Sequence, residues 1–373
     1  MGEIYERIYT FENIYRAYKL ATRSKRSKRE IVEFELDLAA NLWQLHDELE
    51  NESYHAAGYH RFMVFDPKTR EIQALSFRDR VVQRSLCDNV LRPYLENRLI
   101  YDCAACRKDK GTHFAMDRLS DFLRSFHKEH GTRGYILKCD VQKYFDSIAH
   151  EPLKKMLRRF PDEQARALLY QIIDSYEKTP GRGLPMGNQS SQWFALYYLD
   201  RIDRIIKEKY KIKYYTRYMD DLVLVHEDKA KLKACLAEIT EVAQTELLLT
   251  FNNKTQIFPV SAGVDYLGWR FYLTDTGKVI RRLRTSNKRR FKRRLKAFAK
   301  RYADGEMELD QIKQSIASYN GHLQHGHTWK LQKKVYGKFV LKRATENAEN
   351  AASIENTSKT TLQSADCRVE YIC

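Results

Sequence analysis

Three aspartates have residue types and positions that could support chemistry. Asp220 and Asp221 are adjacent, between two short strand-like runs, and Asp140 closes the apolar run 134–140, which predicts a buried strand ending in an acid. Sites that join nucleotides use carboxylates of this kind to hold two Mg2+ ions roughly 3.5–4 Å apart, which stabilise the attacking and leaving oxygens. The three aspartates therefore predict a metal-dependent site for nucleotide chemistry.

An Asp-Asp pair in a turn also has a simpler explanation, since aspartate tolerates turn backbone and is well solvated there. The surrounding chain favours the catalytic interpretation, because further motifs follow Asp140 in a fixed order. These are the aromatic Phe145, the Pro/Gly loop 184–192 before a helical pattern, Lys254 just past a strand-like run, and the run 264–269.

The order and spacing of these motifs resemble the palm of reverse transcriptases, and the resemblance extends over residues 5–335. It implies an α+β, right-hand polymerase fold with fingers, a palm made of an antiparallel sheet with helices, and a helical thumb. Residues 1–133 correspond to the fingers, 134–277 to the palm with its catalytic motifs, and 278–343 to a basic thumb. Residues 344–373 change to a polar composition that predicts a disordered tail.

One branch of reverse transcriptases, the enzymes of diversity-generating retroelements, resembles this chain best. Residues 187–192 match the Gly-x-x-x-Ser-Gln pattern typical of that branch, whereas most reverse transcriptases have Ser-Pro in place of Ser191-Gln192. The stretches 67–83, 105–113 and 318–322 also resemble this branch. The resemblance implies error-prone copying of a template-repeat RNA into cDNA, with errors concentrated at template adenines, as part of mutagenic retrohoming.

The resemblance also implies roles for individual residues. Asp140, Asp220 and Asp221 are expected to hold two Mg2+ ions, with Mn2+ as an alternative, and the Val141 carbonyl is expected to be a further ligand. Lys254 matches the position proposed to protonate the leaving pyrophosphate, although a surface lysine after a strand has the same appearance. Contacts with the incoming deoxynucleoside triphosphate are expected from Lys68, Arg70, Arg78, Arg80, Phe145, Met186, Gly187 and Gln192.

Two of these positions bear on substrate selection. Phe145 falls where the family places a ring that packs beneath the sugar and excludes a 2′-hydroxyl, but a core aromatic at the end of a strand would look the same. Met186 falls where accurate retroviral enzymes carry Gln and the diversity-generating branch usually carries a branched aliphatic residue. An apolar side chain there removes a polar contact near the nucleotide, which predicts weak discrimination against mispairs.

A formal net charge of +17 predicts a polyanionic partner. Basic residues crowd the segment 281–301, where Phe291, Leu295 and Phe298 recur at helical spacing, so the apolar face can pack while the basic face meets a nucleic-acid backbone. A solvated charged helix is the alternative. The expected nucleic-acid contacts in the thumb are Arg289, Arg290, Arg293, Arg294 and His322.

Seven cysteines, an odd number without disulfide spacing, predict reduced thiols in a cytoplasmic protein. The N-terminus is polar and no apolar run approaches about 18 residues, so neither a secretory signal nor a membrane segment is expected. The family resemblance implies template RNA, cDNA and deoxynucleoside triphosphates as partners. It further implies a small basic accessory protein that assembles as a ring.

Three other functions remain as alternatives. A retron or antiviral-defence enzyme would share the catalytic centre, although the Ser191-Gln192 pair and missing retron-type motifs disfavour a retron. Group II intron reverse transcriptases usually have Ser-Pro at this position and a longer C-terminal region. A non-catalytic RNA-binding scaffold would not require intact Asp140, Asp220 and Asp221.

Overall fold

The computed structural model describes residues 3–65 and 69–343. Lys68 and the expected tail 344–373 lie outside the described residues. The described chain divides into two compact units. The first comprises the residues up to Leu267 together with Phe271–Val279, and the second comprises Gly268–Arg270 and the residues from Ile280 onward.

Helices surround a small hairpin in the N-terminal half of the first unit. Amphipathic spacing explains these helices, because apolar residues recur on one face of a helix and are buried there, as Leu42, Leu45 and Leu49 do between residues 38 and 50. The helices are α1 (Glu3–Tyr9), α2 (Phe11–Thr22), α3 (Arg29–Leu36), α4 (Leu38–Glu50), α5 (Phe77–Leu86), a π-helical turn (Cys87–Leu91), α6 (Arg92–Glu96) and α7 (Thr112–His130). Strands β1 (Tyr59–Val64) and β2 (Arg70–Leu75) form the antiparallel hairpin.

A four-stranded antiparallel sheet forms the centre of the first unit. Its strands are β3 (Tyr135–Asp140), β4 (Tyr214–Tyr218), β5 (Asp221–His226) and β6 (Gln256–Pro259), in the order β4-β5-β3-β6. The inner residues of β5, Leu222 to Val225, are buried on both faces, which explains their continuous apolar sequence. Around the sheet lie α8 (Tyr144–Ser147), α9 (His150–Leu157), α10 (Glu163–Asp174), α11 (Gln189–Tyr198), α12 (Asp200–Arg204), a π-helical turn (Ile205–Lys209) and α13 (Lys229–Thr245).

The remaining elements follow the central sheet. A 3-10 turn (Val260–Ala262) precedes strands β7 (Val264–Tyr266), β8 (Trp269–Leu273) and β9 (Val279–Leu283), which form a three-stranded sheet. The helices of the second unit are α14 (Thr285–Ala303), α15 (Leu309–Leu323) and α16 (Trp329–Tyr336). On α14, Phe291 and Leu295 are buried while most of the basic residues are exposed, so this helix is amphipathic as predicted.

The structure confirms the α+β class predicted from the sequence, with antiparallel sheets and many helices. The division into fingers, palm and thumb at residues 133, 277 and 343 stays a prediction. Within the described parts of the chain, every helix is too short or too polar to cross a lipid bilayer.

Candidate functional site

The candidate site is centred on the tight hairpin between β4 and β5. Tyr218 pairs with Asp221 across the hairpin, so Met219 and Asp220 alone form its loop. Met219 has a φ of 54°, the left-handed conformation that a two-residue hairpin loop often needs. Asp220 therefore lies at the tip and Asp221 begins β5.

Asp140 is brought to the same hairpin by strand register. It is the last residue of β3 and lies directly opposite Asp221 in the antiparallel pair β3–β5. Its carboxylate also faces that of Asp220: burial first, and then the charge of Asp140, raises the pKa of Asp220 to about 7. The structure thus brings together the three aspartates that the sequence predicted as catalytic.

Two polar residues that sequence reasoning missed hold these carboxylates. The Lys138 Nζ lies 2.6 Å from Asp221 Oδ1, and the Asn252 side-chain amide donates to Asp140 Oδ2. Lys138 stands two residues before Asp140, so on a strand both side chains point to the same face, and this spacing could have identified it. Asn252 comes from the segment after α13, and no local pattern links it to Asp140.

The residues of this site fit a divalent cation. Carboxylate oxygens are the hard ligands that Mg2+ and Mn2+ prefer, and three of these carboxylates meet at the hairpin, where burial and the neighbouring Asp140 charge raise the pKa of Asp220. Val141 is buried beside them in a bridge to Phe251. The two hydrogen bonds of this bridge run from the Gln142 N–H to the Thr250 carbonyl and from the Asn252 N–H to the Asp140 carbonyl. The bridge therefore does not use the Val141 carbonyl.

A buried ion pair stabilises the hairpin loop through hydrogen bonds to its backbone. Arg217 and Asp203 are both fully buried, and the Arg217 Nε donates to Asp203 Oδ1 at 2.8 Å. The same guanidinium donates to the carbonyl oxygens of Leu196 and Met219, each at 3.0 Å. Arg217 therefore ties the loop that carries Asp220 to helices α11 and α12.

The loop before α11 is attached to the segment that follows Asp140. The Leu184 N–H donates to the Phe145 carbonyl at 2.8 Å, and the Gly183 N–H donates to the Ile148 carbonyl at 2.8 Å. The rings of Tyr144 and Phe145 meet edge to face, with Tyr144 buried and Phe145 half-buried. Phe145 and Met186 thus lie on two segments that are hydrogen-bonded to each other.

Gly187 lies in the loop before α11, which begins at Gln189, and Gln192 lies within this helix. Gly187 has a φ of 137°, and a Cβ there would lie 3.0 Å from the Gln73 carbonyl oxygen of β2, so a larger residue would be strained. Gln192 is half-buried on the first turns of α11, next to the buried Ser191. The expected nucleotide contacts of Met186, Gly187 and Gln192 stay predictions.

The basic residues expected at the triphosphate differ in their surroundings. Arg70 opens β2 and is exposed, whereas Arg78 forms an ion pair with Glu48 and Arg80 lies 2.6 Å from Glu30. These acids come from α4 and α3, and no sequence pattern predicts that these helices pack beside α5. Lys254 is exposed, and its backbone N–H donates to Asn252 Oδ1 at 2.8 Å.

The residues expected to contact nucleic acid lie in the second unit, and their role stays a prediction. On α14, Arg289, Arg293 and Arg294 are exposed, Arg290 is half-buried, and the Arg294 guanidinium lies over the Tyr319 ring. His322 packs on Trp269, with ring centroids 5.2 Å apart.

A different group of possible cation ligands lies on α4 among the described residues. Donor atoms of His46, Asp47 and Glu50 are within 4.8 Å of one another, but both acids are exposed. The His46 Nδ1 is already hydrogen-bonded to the Tyr9 carbonyl at 2.8 Å. We favour the hairpin aspartates because exposed acids on one helix are well solvated without a metal.

Sequence comparison assigns the family that this site and fold suggest. Residues 65–271, more than half of the chain, match the profile of the family described as reverse transcriptase (RNA-dependent DNA polymerase). The chain belongs to the reverse transcriptase family. Domains of this family use divalent metal ions, in agreement with the carboxylates at the hairpin.

Individual relatives are distant. Protein YkfC of Escherichia coli (strain K12) is 26% identical over 277 residues, which cover 62% of this chain and 71% of YkfC. Apo telomerase from Candida tropicalis has a TM-score of 0.45 at 14% identity, covering 61% of this chain and 48% of the telomerase chain. Telomerase from Candida albicans in complex with a TWJ fragment of telomeric RNA has a TM-score of 0.44 at 13% identity, covering 84% of this chain and 64% of that chain. The chain thus spans about half to two-thirds of the length of these telomerases.

Proposed function

We propose that this protein is an RNA-directed DNA polymerase that copies a template-repeat RNA into error-prone cDNA for a diversity-generating retroelement. The observation that carries the polymerase assignment is the meeting of Asp140, Asp220 and Asp221 at the β4–β5 hairpin. The finer assignment is supported by the Gly-x-x-x-Ser-Gln pattern of residues 187–192 and by Met186. The proposed partners are template RNA, cDNA, deoxynucleoside triphosphates and a small basic accessory protein forming a ring.

The proposed chemistry is phosphoryl transfer from a deoxynucleoside triphosphate to a primer 3′-hydroxyl. Two Mg2+ ions, held by Asp140, Asp220, Asp221 and the Val141 carbonyl, would supply activation of the hydroxyl and charge neutralisation. Lys138 and Asn252 orient two of the three carboxylates, and Arg217 fixes the hairpin loop. Arg70 and Lys68 are the proposed triphosphate contacts, and Lys254 is the proposed proton donor to pyrophosphate.

Primer extension on a mixed-sequence RNA template, with Mg2+ and all four deoxynucleotides, tests this function when every cDNA is sequenced. Synthesis with substitutions mainly opposite template adenines is expected. Accurate copying or evenly distributed errors would instead favour an antiviral-defence or group II intron-type reverse transcriptase. If the chain alone makes no product, the assay is repeated with the cognate RNA and accessory protein. Absence of product then contradicts the polymerase assignment and leaves a non-catalytic RNA-binding scaffold.

Phe145→Ala is expected to admit ribonucleotides. Removing the ring opens the space proposed to exclude a 2′-hydroxyl, so the preference for deoxynucleotides should fall by about tenfold or more. Single-nucleotide insertion of matched deoxynucleotide and ribonucleotide pairs gives the ratio of kcat/KM. Phe114→Ala, at a half-buried ring on α7, is the control and should leave this ratio unchanged. Equal rejection of ribonucleotides by wild type and Phe145→Ala would exclude Phe145 as the gate.

Met186→Gln is expected to lower the error rate. Gln restores a polar group beside the proposed nucleotide site and is close to Met in length, so packing of the loop should be kept. An improvement of about 3- to 30-fold corresponds to a gain of roughly 0.7–2 kcal/mol in discrimination. Sequencing cDNA copied from one template by both proteins measures it, with Met186→Leu as the apolar control. An unchanged error spectrum in Met186→Gln would contradict the proposed role of Met186 in fidelity.

A further inference from the structure

A cavity of about 430 Å³ lies in the first unit, apart from the hairpin aspartates. Its walls come from the segment before β1, from α5 and from the end of α10. Its lining includes Tyr54, His55, Tyr59, Gln83, Gln171 and Asp174. This volume falls in the range of sites that hold small organic ligands.

Two amide side chains present one donor and one acceptor at this cavity. The Gln83 Oε1 accepts from the Ser190 N–H at 3.3 Å and from the Ser190 hydroxyl at 2.5 Å, which fixes the orientation of this buried amide. Its NH2 group has no hydrogen-bond partner among residues 3–65 and 69–343. The Gln171 Nε2 donates to the Tyr54 carbonyl at 2.8 Å, leaving its Oε1 as an acceptor.

Two tyrosine rings in the cavity wall are held rigidly. The Tyr54 hydroxyl donates to the buried Asp79 at 3.0 Å. The Tyr59 hydroxyl accepts from the Asn188 amide at 3.2 Å and donates to the Ser175 hydroxyl at 2.9 Å, since Ser175 itself donates to the Ile172 carbonyl. Tyr54 is almost fully buried and Tyr59 is half-buried, so Tyr59 is the ring that can serve as a platform for stacking an unpaired base.

The lining offers a phosphate no permanently charged cation. Neither lysine nor arginine is among the lining residues, and the acid Asp174 is already paired with Lys154 at 2.7 Å. A neutral, planar group with hydrogen-bonding edges, such as a nucleobase, matches the two amides and the half-buried Tyr59 ring.

We propose that this cavity receives an unpaired nucleobase of the template strand, on the 5′ side of the position being copied. This inference rests on the proposed polymerase function. Asn188 and Ser190, which hold the cavity wall, begin α11 directly after the Met186-Gly187 loop. Template bases are unpaired only ahead of synthesis, so a single-base pocket beside this loop serves the incoming template.

The test combines crosslinking with binding. RNA templates annealed to a primer carry either 5-iodouridine or an abasic residue at successive positions 5′ of the templating base. In wild type, one position should crosslink to the peptide containing Tyr54 and Tyr59. At that position, an abasic residue should weaken binding by about 5- to 20-fold.

Gln83→Glu is the decisive variant, because it keeps the oxygen that Ser190 uses and removes the NH2 donor. It should reduce the abasic effect to below about 2-fold. Gln244→Glu, on an exposed position of α13, makes the same charge change and should retain the full effect. Melting curves establish whether both variants fold. If Gln83→Glu does not fold, the crosslink in the wild-type protein still tests the pocket independently.

Equal binding of base-containing and abasic templates at every position overturns the proposal. A crosslink found only in peptides without Tyr54 and Tyr59 also overturns it. If free 5-iodouridine crosslinks to the Tyr54–Tyr59 peptide as strongly as the template does, the cavity binds a free nucleoside and the proposal is wrong. Extension is measured on the same templates. Base-dependent binding without synthesis contradicts the polymerase function but keeps the pocket; synthesis without base dependence contradicts the pocket alone.

Discussion

Asp220→Asn is expected to lower the rate of DNA synthesis by at least about 10³-fold while leaving RNA binding intact. The amide keeps the size of the side chain but removes the charge that balances a divalent cation at the hairpin. Single-turnover nucleotide insertion at saturating primer–template measures the loss. Asp228→Asn, at the exposed N-cap of α13, is the control and should insert nucleotides at the wild-type rate. Residual activity above about a tenth of wild type would exclude Asp220 as a metal ligand.

The same variant should be more stable than wild type when divalent ions are absent. The pKa of Asp220 is raised from 3.8 to about 7, chiefly by burial and then by Asp140, so folding disfavours its charged form. Below pH 3.8 the protonated group carries no penalty; the penalty grows as the pH rises to about 7 and is complete above it. Asparagine carries no such penalty at any pH.

Thermal unfolding in a chelator at pH 5 and pH 8 measures this difference. The melting temperature of Asp220→Asn should exceed that of wild type by several degrees at pH 8, and by less at pH 5. Added Mg2+ should then raise the wild-type melting temperature more than that of the variant. Coincident melting curves in the chelator at pH 8 would show that Asp220 carries no unbalanced charge in the metal-free protein.

The outline of this site was predictable because it depends on local patterns. A strand ending in Asp140 and a two-residue turn carrying Asp220 are visible in the sequence, and antiparallel pairing then places Asp140 opposite Asp221. The residues that hold this outline in place were not predictable. Asn252 and Asp203 reach the site only through tertiary packing, which no periodicity records.

Arg78 and Arg80 show a second limit of prediction from sequence, which concerns the partners of charged side chains. Their expected contacts with a triphosphate stay predictions, and each guanidinium has an acidic partner from another helix, Glu48 or Glu30, that the sequence did not reveal. A sequence pattern shows which side chains can bind an anion. It does not show which of them the folded chain has already paired with its own acids.

Asp203→Asn is expected to destabilise the protein by about 3–5 kcal/mol. Asp203 is the buried carboxylate beside the fully buried Arg217, and its loss leaves a guanidinium charge without a counter-ion in a low-dielectric interior. Urea unfolding gives the free energy of unfolding. Arg201→Gln, two residues away on the same helix, removes an exposed ion pair with Glu246 and should change stability by less than about 1 kcal/mol.

Arg217→Lys separates two effects of Arg217, its support of the hairpin loop Met219-Asp220 and its support of the core. Lysine keeps the buried charge beside Asp203 but lacks the planar fork that reaches Asp203 and the carbonyls of Leu196 and Met219 together. With the Met219 carbonyl released, the loop carrying Asp220 loses its fixed position, and nucleotide insertion should fall by about 10- to 100-fold. The loss should appear in the maximal rate and in the Mg2+ concentration for half-maximal rate, while a folded protein still binds RNA. Wild-type Mg2+ dependence in a folded Arg217→Lys protein would limit Arg217 to a role in stability.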